Sequence, residues 1–222
     1  MTARSLNRAD FLAALVGLGV IGAAPAAHAA RNGDAETYVQ QHATNALRTL
    51  GDRSISSAQR QQTFDRLMAQ FADMPRIANF VLGRYGVQLR ADTALRSEWT
   101  RTFQAYSIAV YEDRLERYSG SGIRVTGSVE RVAGSDVIVN SELTPNGGDR
   151  ALPVQWRLLR AGAVWKVVDV SLILEGNQIW LAQQQQRDFL AALDRNHGDI
   201  RALMADIRGL TAALRNRIMA RS

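Results

Sequence analysis

Ile123-Arg124-Val125-Thr126-Gly127-Ser128-Val129-Glu130 decides the fold. Ile123, Val125, Gly127 and Val129 alternate with Arg124, Thr126, Ser128 and Glu130, and a two-residue period predicts a strand with one face on a core and one in water. Three more strands follow. Ala133-Gly134-Ser135 turns the chain into Asp136 to Thr144, where Val137, Val139, Ser141 and Leu143 alternate with Ile138, Asn140 and Glu142. Pro145 to Asp149 reads as a loop, Leu152 to Arg160 as a strand with Val154, Trp156 and Leu158 on one face, and Val164 to Leu174 as the fourth. The short connections make neighbouring strands antiparallel.

Upstream of Ile123 apolar residues recur at three and four, the helical period. Asp34 caps a predicted helix to about Leu50 that carries Val39, Ala43, Ala46 and Leu47, with Gly51 as its stop. Ser56 or Ser57 starts a second, with Phe64, Leu67, Met68 and Phe71. Pro75 suits the first turn of a short third helix with Ile77, Phe80 and Val81, ended by Gly83. Asp92 opens a long one whose stripe, Leu95, Trp99, Phe103, Tyr106, Val110 and Tyr111, runs toward Tyr118 before Ser119-Gly120. Downstream of the strands, Glu175-Gly176-Asn177 opens a helix with Ile179, Leu181, Phe189, Leu190 and Leu193. Asn196-His197-Gly198 breaks it, and Asp199 caps a last helix bearing Ile200, Leu203, Met204, Ile207, Leu210 and Leu214. The expected fold is α+β: a four-stranded antiparallel sheet, with the helices before and after it packed on one face.

The first 29 residues read as a cleaved signal peptide. Arg4 and Arg8 precede an apolar run from Phe11 to Ala24, and Ala27-His28-Ala29 after Pro25 is the small-x-small pattern of a cleavage site. The run falls short of the ~20 apolar residues that span a bilayer. Residues 30–222 then form a single domain, expected in the periplasm. The chain has no Cys, so disulfides, thiolate nucleophiles and Cys-bound metals are excluded. The formal charge is +6, and every basic side chain but Lys166 is Arg. These arginines are spread among Asp and Glu, with no basic run and no basic-aromatic interleaving, so the charge reads as a solvated surface and not as a nucleic-acid interface.

No catalytic constellation emerges. His42 and His197 are isolated, no Gly-x-Ser-x-Gly elbow exists, and no Gly-rich phosphate loop follows a strand. Asp169, among Val167, Val168 and Val170, is the one carboxylate whose surroundings could tune it as an acid or base. The alternative for it is a structural carboxylate bonded to a helix end or an Arg. Glu175, at a strand end, is ambiguous in the same way.

The chain resembles the MlaC family, the toluene-tolerance auxiliary components of ABC transporters, in an ordered set of stretches. They are Phe71-Ala72-Asp73-Met74-Pro75-Arg76-Ile77-Ala78-Asn79-Phe80-Val81-Leu82-Gly83-Arg84-Tyr85; Phe103 with Tyr106, Tyr111 and Tyr118-Ser119-Gly120; Trp156-Arg157-Leu158 with Gly162 and Trp165-Lys166-Val167-Val168-Asp169-Val170; and Glu175-Gly176 leading to Gln186-Arg187-Asp188-Phe189, Asn196 and Gly198-Asp199-Ile200. Two places depart from the family pattern: Asn177-Gln178-Ile179-Trp180 after Gly176, and Gly86 after Tyr85.

The resemblance implies a soluble periplasmic protein that takes a phospholipid's tails into an apolar cavity between sheet and helices. It also implies an inner-membrane ABC transporter with lipid-handling ring domains and an outer-membrane lipoprotein complex as partners, with a hopanoid as an alternative cargo. On that reading no cofactor or metal is expected, the protein is not an enzyme, and Phe80, Tyr85, Phe103, Tyr106, Val154, Trp156, Leu158 and Val170 are candidates for the lipid pocket. Two rival readings are a small cone-shaped α+β enzyme with Asp169 as base and an adaptor domain whose aromatics simply fill a core.

Overall fold

The computed structural model describes residues 30–115, 118, 121–145, 151–174 and 176–221. The expected signal segment, Ser119-Gly120, loop residues 146–149 and Glu175 lie outside the described residues. Helix α1 (Gly33–Gly51) starts two residues earlier than the sequence suggested, because Asn32 and not Asp34 is the cap. The Asn32 side chain accepts from the Ala35 amide at 3.0 Å, while its own amide donates to Ser128 Oγ and its Nδ2 to Glu130. Asp34 instead lies in the first turn, where negative charge suits the helix dipole. In α2 (Ser57–Phe71) Ser56 and Gln59 form a reciprocal capping box. Helix α3 (Met74–Val81) carries Pro75 in its first turn, and Gly83, at φ +51, leads into a 3-10 turn over Gly83–Val87 and the short α4 (Gln88–Ala91). Asp92 accepts from the Leu95 amide at 2.8 Å and starts α5 (Thr93–Leu115).

The sheet has five strands where the sequence suggested four. β1 (Gly122–Val132), β2 (Asp136–Thr144), β3 (Leu152–Ala161), β4 (Val164–Leu174) and β5 (Asn177–Trp180) pair in chain order, all antiparallel. The segment expected to open a helix is the fifth strand. Leu174 pairs with Asn177 across a two-residue turn with Gly176 at φ +81, and Ile179 and Trp180, β-favouring side chains, pair with Leu172 and Ser171. Helix α6 (Leu181–Arg195) follows directly. His197 and Gly198, both at positive φ, turn it into α7 (Ile200–Arg221), capped by Asp199.

Register shifts interrupt the pairing at three places, two in β1 and one in β4. One extra residue in β1, between Val125 and Gly127, reverses the parity of the strand beyond it. Ser128 is therefore buried and Val129, expected inside, is 40% exposed. A second shift in β1 falls between Glu130 and Val132, and the one in β4 lies where Arg157 pairs with Asp169 but Leu158 pairs with Val167.

The core divides along the length of α5. Its N-terminal half, with Trp99 and Phe103, packs among α3, α6 and α7 against residues such as Leu82, Phe189, Leu193 and Ile207. Its C-terminal half, from Ile108 on, meets the sheet together with Val39 of α1 and Phe64 and Phe71 of α2. The helices reach the sheet's far strands through Ala72, which bridges Val167, and through the Asp73 amide, which donates to the Val167 carbonyl at 2.9 Å.

Candidate functional site

The N-terminal half of the α5 stripe is filled core. Trp99 is fully buried and donates its indole N–H to the Ala78 carbonyl at 2.7 Å. The Phe189 ring meets Trp99 and Phe103 edge-on at 6.0 and 6.2 Å between centroids. Phe103, also fully buried, belongs to this cluster. Tyr85 packs at its border and donates its hydroxyl to Asp194 at 2.6 Å. Phe80 is 42% exposed on α3, and its carbonyl accepts from the Gln186 side chain.

Further along α5 the packing loosens. Tyr106, Val110, Tyr111 and Leu115 are only partly buried, and so are Val125, Trp156, Val170 and Leu172 on the sheet. Leu115, Trp156 and Val170 touch both apolar clusters of the sheet, which joins these side chains into one surface whose floor is Val154 and Leu158. Tyr111 shows what kind of surface it is. Protein surrounds its phenol, and burial pushes it well above its ordinary pKa, with the nearby Asp169 carboxylate adding to the rise and Arg114 opposing it. Its side chain nevertheless keeps accessible area. Tyr111 therefore lies in the partly buried crevice where α5 meets the apolar cluster of the sheet.

Polar groups around the crevice are held in fixed roles. Trp156 donates its indole N–H to Ser141 Oγ at 2.8 Å, and its ring lies 5.4 Å from Phe71. Asp169, the candidate base, accepts the amides of Val170 and Ala182, each at 2.8 Å. Burial raises its pKa, and those N–H bonds together with Arg157 counter the rise. Since Trp180 offers α6 no side-chain cap, the strand carboxylate does that work. Among the described residues no group of three or more His, Asp and Glu side chains is placed to hold a metal.

Of the eight residues singled out in the sequence, Val154, Trp156, Leu158 and Val170 meet in the apolar surface of the sheet, while Tyr106 packs against Phe189 in the helical cluster. Phe103 lies in that filled cluster as well, and Tyr85 and Phe80 stand apart from the sheet surface. Tyr111, Leu115, Val125 and Leu172 join the same surface and were not among the eight. Tyr111 and Val125 were signalled by the helical stripe and the strand alternation, whereas the direction of Leu172 depends on a strand whose parity a bulge reverses. Two other hollows are open grooves with mixed linings. One of about 420 Å³ runs between α5 and α7 beside Arg101, Thr102 and Arg208, and one of about 350 Å³ lies between α1 and the β3–β4 turn beside Arg160 and Val164.

A sequence profile of the family described as MlaC protein matches residues 40–209, most of the chain. The chain belongs to the MlaC family. Among curated proteins none matches it. Among solved structures it is similar to that of a phospholipid-binding protein from Ralstonia solanacearum in complex with a phospholipid. The TM-score is 0.69 at 20% identity, over 82% of this chain and 98% of the other, a likeness that establishes a shared fold. The MlaC match stops inside α7, so residues 210–221 extend beyond it. No described helix is long and apolar enough to cross a membrane.

Proposed function

We propose that this MlaC-family protein is a lipid carrier of the periplasm that shelters phospholipid acyl chains in the crevice between α5 and the sheet. The observation that carries the reading is the continuous, partly buried apolar surface of Tyr111, Leu115, Trp156 and Val170 over the floor of Val154 and Leu158. Family membership and the phospholipid-bound relative of the same fold support it. At about 0.8 kcal/mol per methylene, two chains of roughly thirty methylenes represent more than ~20 kcal/mol of apolar transfer. Bare lipid therefore crosses water slowly, and a carrier has to reproduce most of the membrane's apolar contact.

In this reading the signal peptide is removed after Ala29, and residues 30–222 act as one domain between an inner-membrane ABC transporter with lipid-handling ring domains and an outer-membrane lipoprotein complex. The protein performs no covalent chemistry. Asp169 supports that view, because its Oδ1 is committed to the amides of Val170 and of Ala182 at the start of α6. The test is organic extraction of the purified protein followed by mass spectrometry. Phospholipid near one molecule per chain is the expected result. A hopanoid would keep the carrier and change its cargo, and an empty extract from protein exposed to lipid vesicles would overturn the proposal.

A further inference from the structure

The α5 stripe changes character along its length. Trp99 and Phe103 are fully buried, Tyr106, Val110 and Tyr111 partly so, and Arg114 is exposed. Tyr106, Val110 and Arg114 are spaced by four residues and Tyr111 precedes Arg114 by three, so all four share one helix face. Arg114 thus stands one turn beyond Val110 and Tyr111 on that face, exposed at the C-terminal end of the stripe. Its charge acts on the phenols of both Tyr106 and Tyr111. Among the described residues Arg114 has no ion-pair partner, whereas Arg208, Arg215, Arg217 and Arg221, on the helix packed along α5, are all paired. A greasy crevice that ends in an unpaired guanidinium is complementary to an amphiphile whose apolar tails lead to an anionic head.

Resting on the carrier reading above, we propose that Arg114 is the headgroup anchor: it holds the phosphate of a lipid whose acyl chains occupy the crevice. Guanidinium matches phosphate in shape as well as charge, through paired N–H donors. Two carboxylates act on the same phenols and bound the effect. Asp169 acts on Tyr111 from the sheet but is committed to α6, and Asp188 of α6 acts on Tyr106 and accepts only from Gln184. Asp188 opposes an anionic head, so its neutralisation should strengthen the preference that loss of Arg114 weakens.

The experiment loads the purified protein from mixed micelles holding equal amounts of dioleoyl phosphatidic acid and dioleoylglycerol, which differ only in the phosphate, and reads the bound ratio by native mass spectrometry. Wild type should favour the phosphatidic acid about tenfold, the scale of one charge-assisted contact. Arg114→Gln should bring the ratio close to parity, Arg114→Lys should restore part of it, and Asp188→Asn should raise it. Unfolding midpoints should match wild type, since both side chains are exposed. Loading of both lipids with a ratio unchanged in Arg114→Gln would overturn the anchor and leave the carrier reading intact. Failure of wild type to load either lipid would overturn the carrier reading itself. If millimolar inorganic phosphate at constant ionic strength abolishes the preference, Arg114 takes a free anion and the headgroup assignment falls.

Discussion

At the scale of single residues, two polar groups buried near the sheet differ in what they do. Asp169 is an acceptor for backbone N–H groups at the start of α6, and removing a cap of this kind costs about 0.5–2 kcal/mol. Asp169→Ala should therefore lower stability by about that amount in urea denaturation while lipid occupancy stays near wild type. An occupancy that collapses in a folded Asp169→Ala protein would place the carboxylate in the binding site. His42 is different, because its Nδ1 is buried without a hydrogen-bond partner while its ring stacks on Phe71 at 5.4 Å. Burial first, and the charge of Lys166 second, lower its pKa below the ordinary 6.5. The fold thus prefers the neutral ring, so the unfolded chain binds the proton more readily as pH falls through 6.5. This contribution is present above that value and is lost progressively toward the lower folded one. The urea midpoint should drop between about pH 7.5 and about pH 5.5, and His42→Phe should shrink that drop. An identical pH dependence in the two proteins would remove His42 from the explanation.

At the scale of elements, the corner between α6 and α7 is the place where backbone conformation and packing coincide. Gly198 has φ +79, and a Cβ there would lie 2.6 Å from the Tyr85 ring. Gly134, in the β1–β2 turn, also has positive φ, +64, but a Cβ there would meet nothing within 4 Å. Gly134→Ala should cost only the backbone term of about 1–2 kcal/mol, and Gly198→Ala should cost that plus about 1–3 kcal/mol of steric conflict. Equal losses in the two variants would contradict the close approach. Helices were legible because caps and stripes are local: Ser56, Asp92 and Asp199 all start the helices expected of them. The sheet was legible in outline only. Val129 has the right period for a buried strand residue and is nonetheless outside, because a bulge shifts parity without leaving a local mark in the residue types. Asn177 to Trp180 mixes polar and apolar residues in a way that suits either a helix start or a short edge strand. Only pairing with β4 decides between them.

At the scale of the whole molecule, the eight residues chosen from the sequence divide according to where α5 passes from one core to another. Phe103 and Tyr106 lie on one stripe and both rings meet Phe189, yet the first is fully buried and the second keeps accessible area. Helical periodicity reports a shared face but not the depth of packing along it, which depends on α3, α6 and α7 closing over one half and the sheet over the other. Energetics explains why the crevice is lined by side chains that touch one another. A dry apolar cavity of ~500 Å³ held open would cost about 12 kcal/mol at ~24 cal/mol per Å³, comparable with the entire stability of a domain. An apolar carrier therefore has to close on itself and admit its cargo by moving side chains apart. Tyr111, Leu115 and Trp156, partly exposed already, are the ones with room to move. The most direct measurement loads the protein with a phospholipid bearing a photoreactive diazirine midway along one acyl chain, irradiates it, and maps the adducts by peptide mass spectrometry. Adducts should concentrate on Tyr111, Leu115, Trp156 and Val170. Adducts confined to exposed Phe80, or to the grooves beside Arg101 and Val164, would contradict an acyl-chain site between α5 and the sheet.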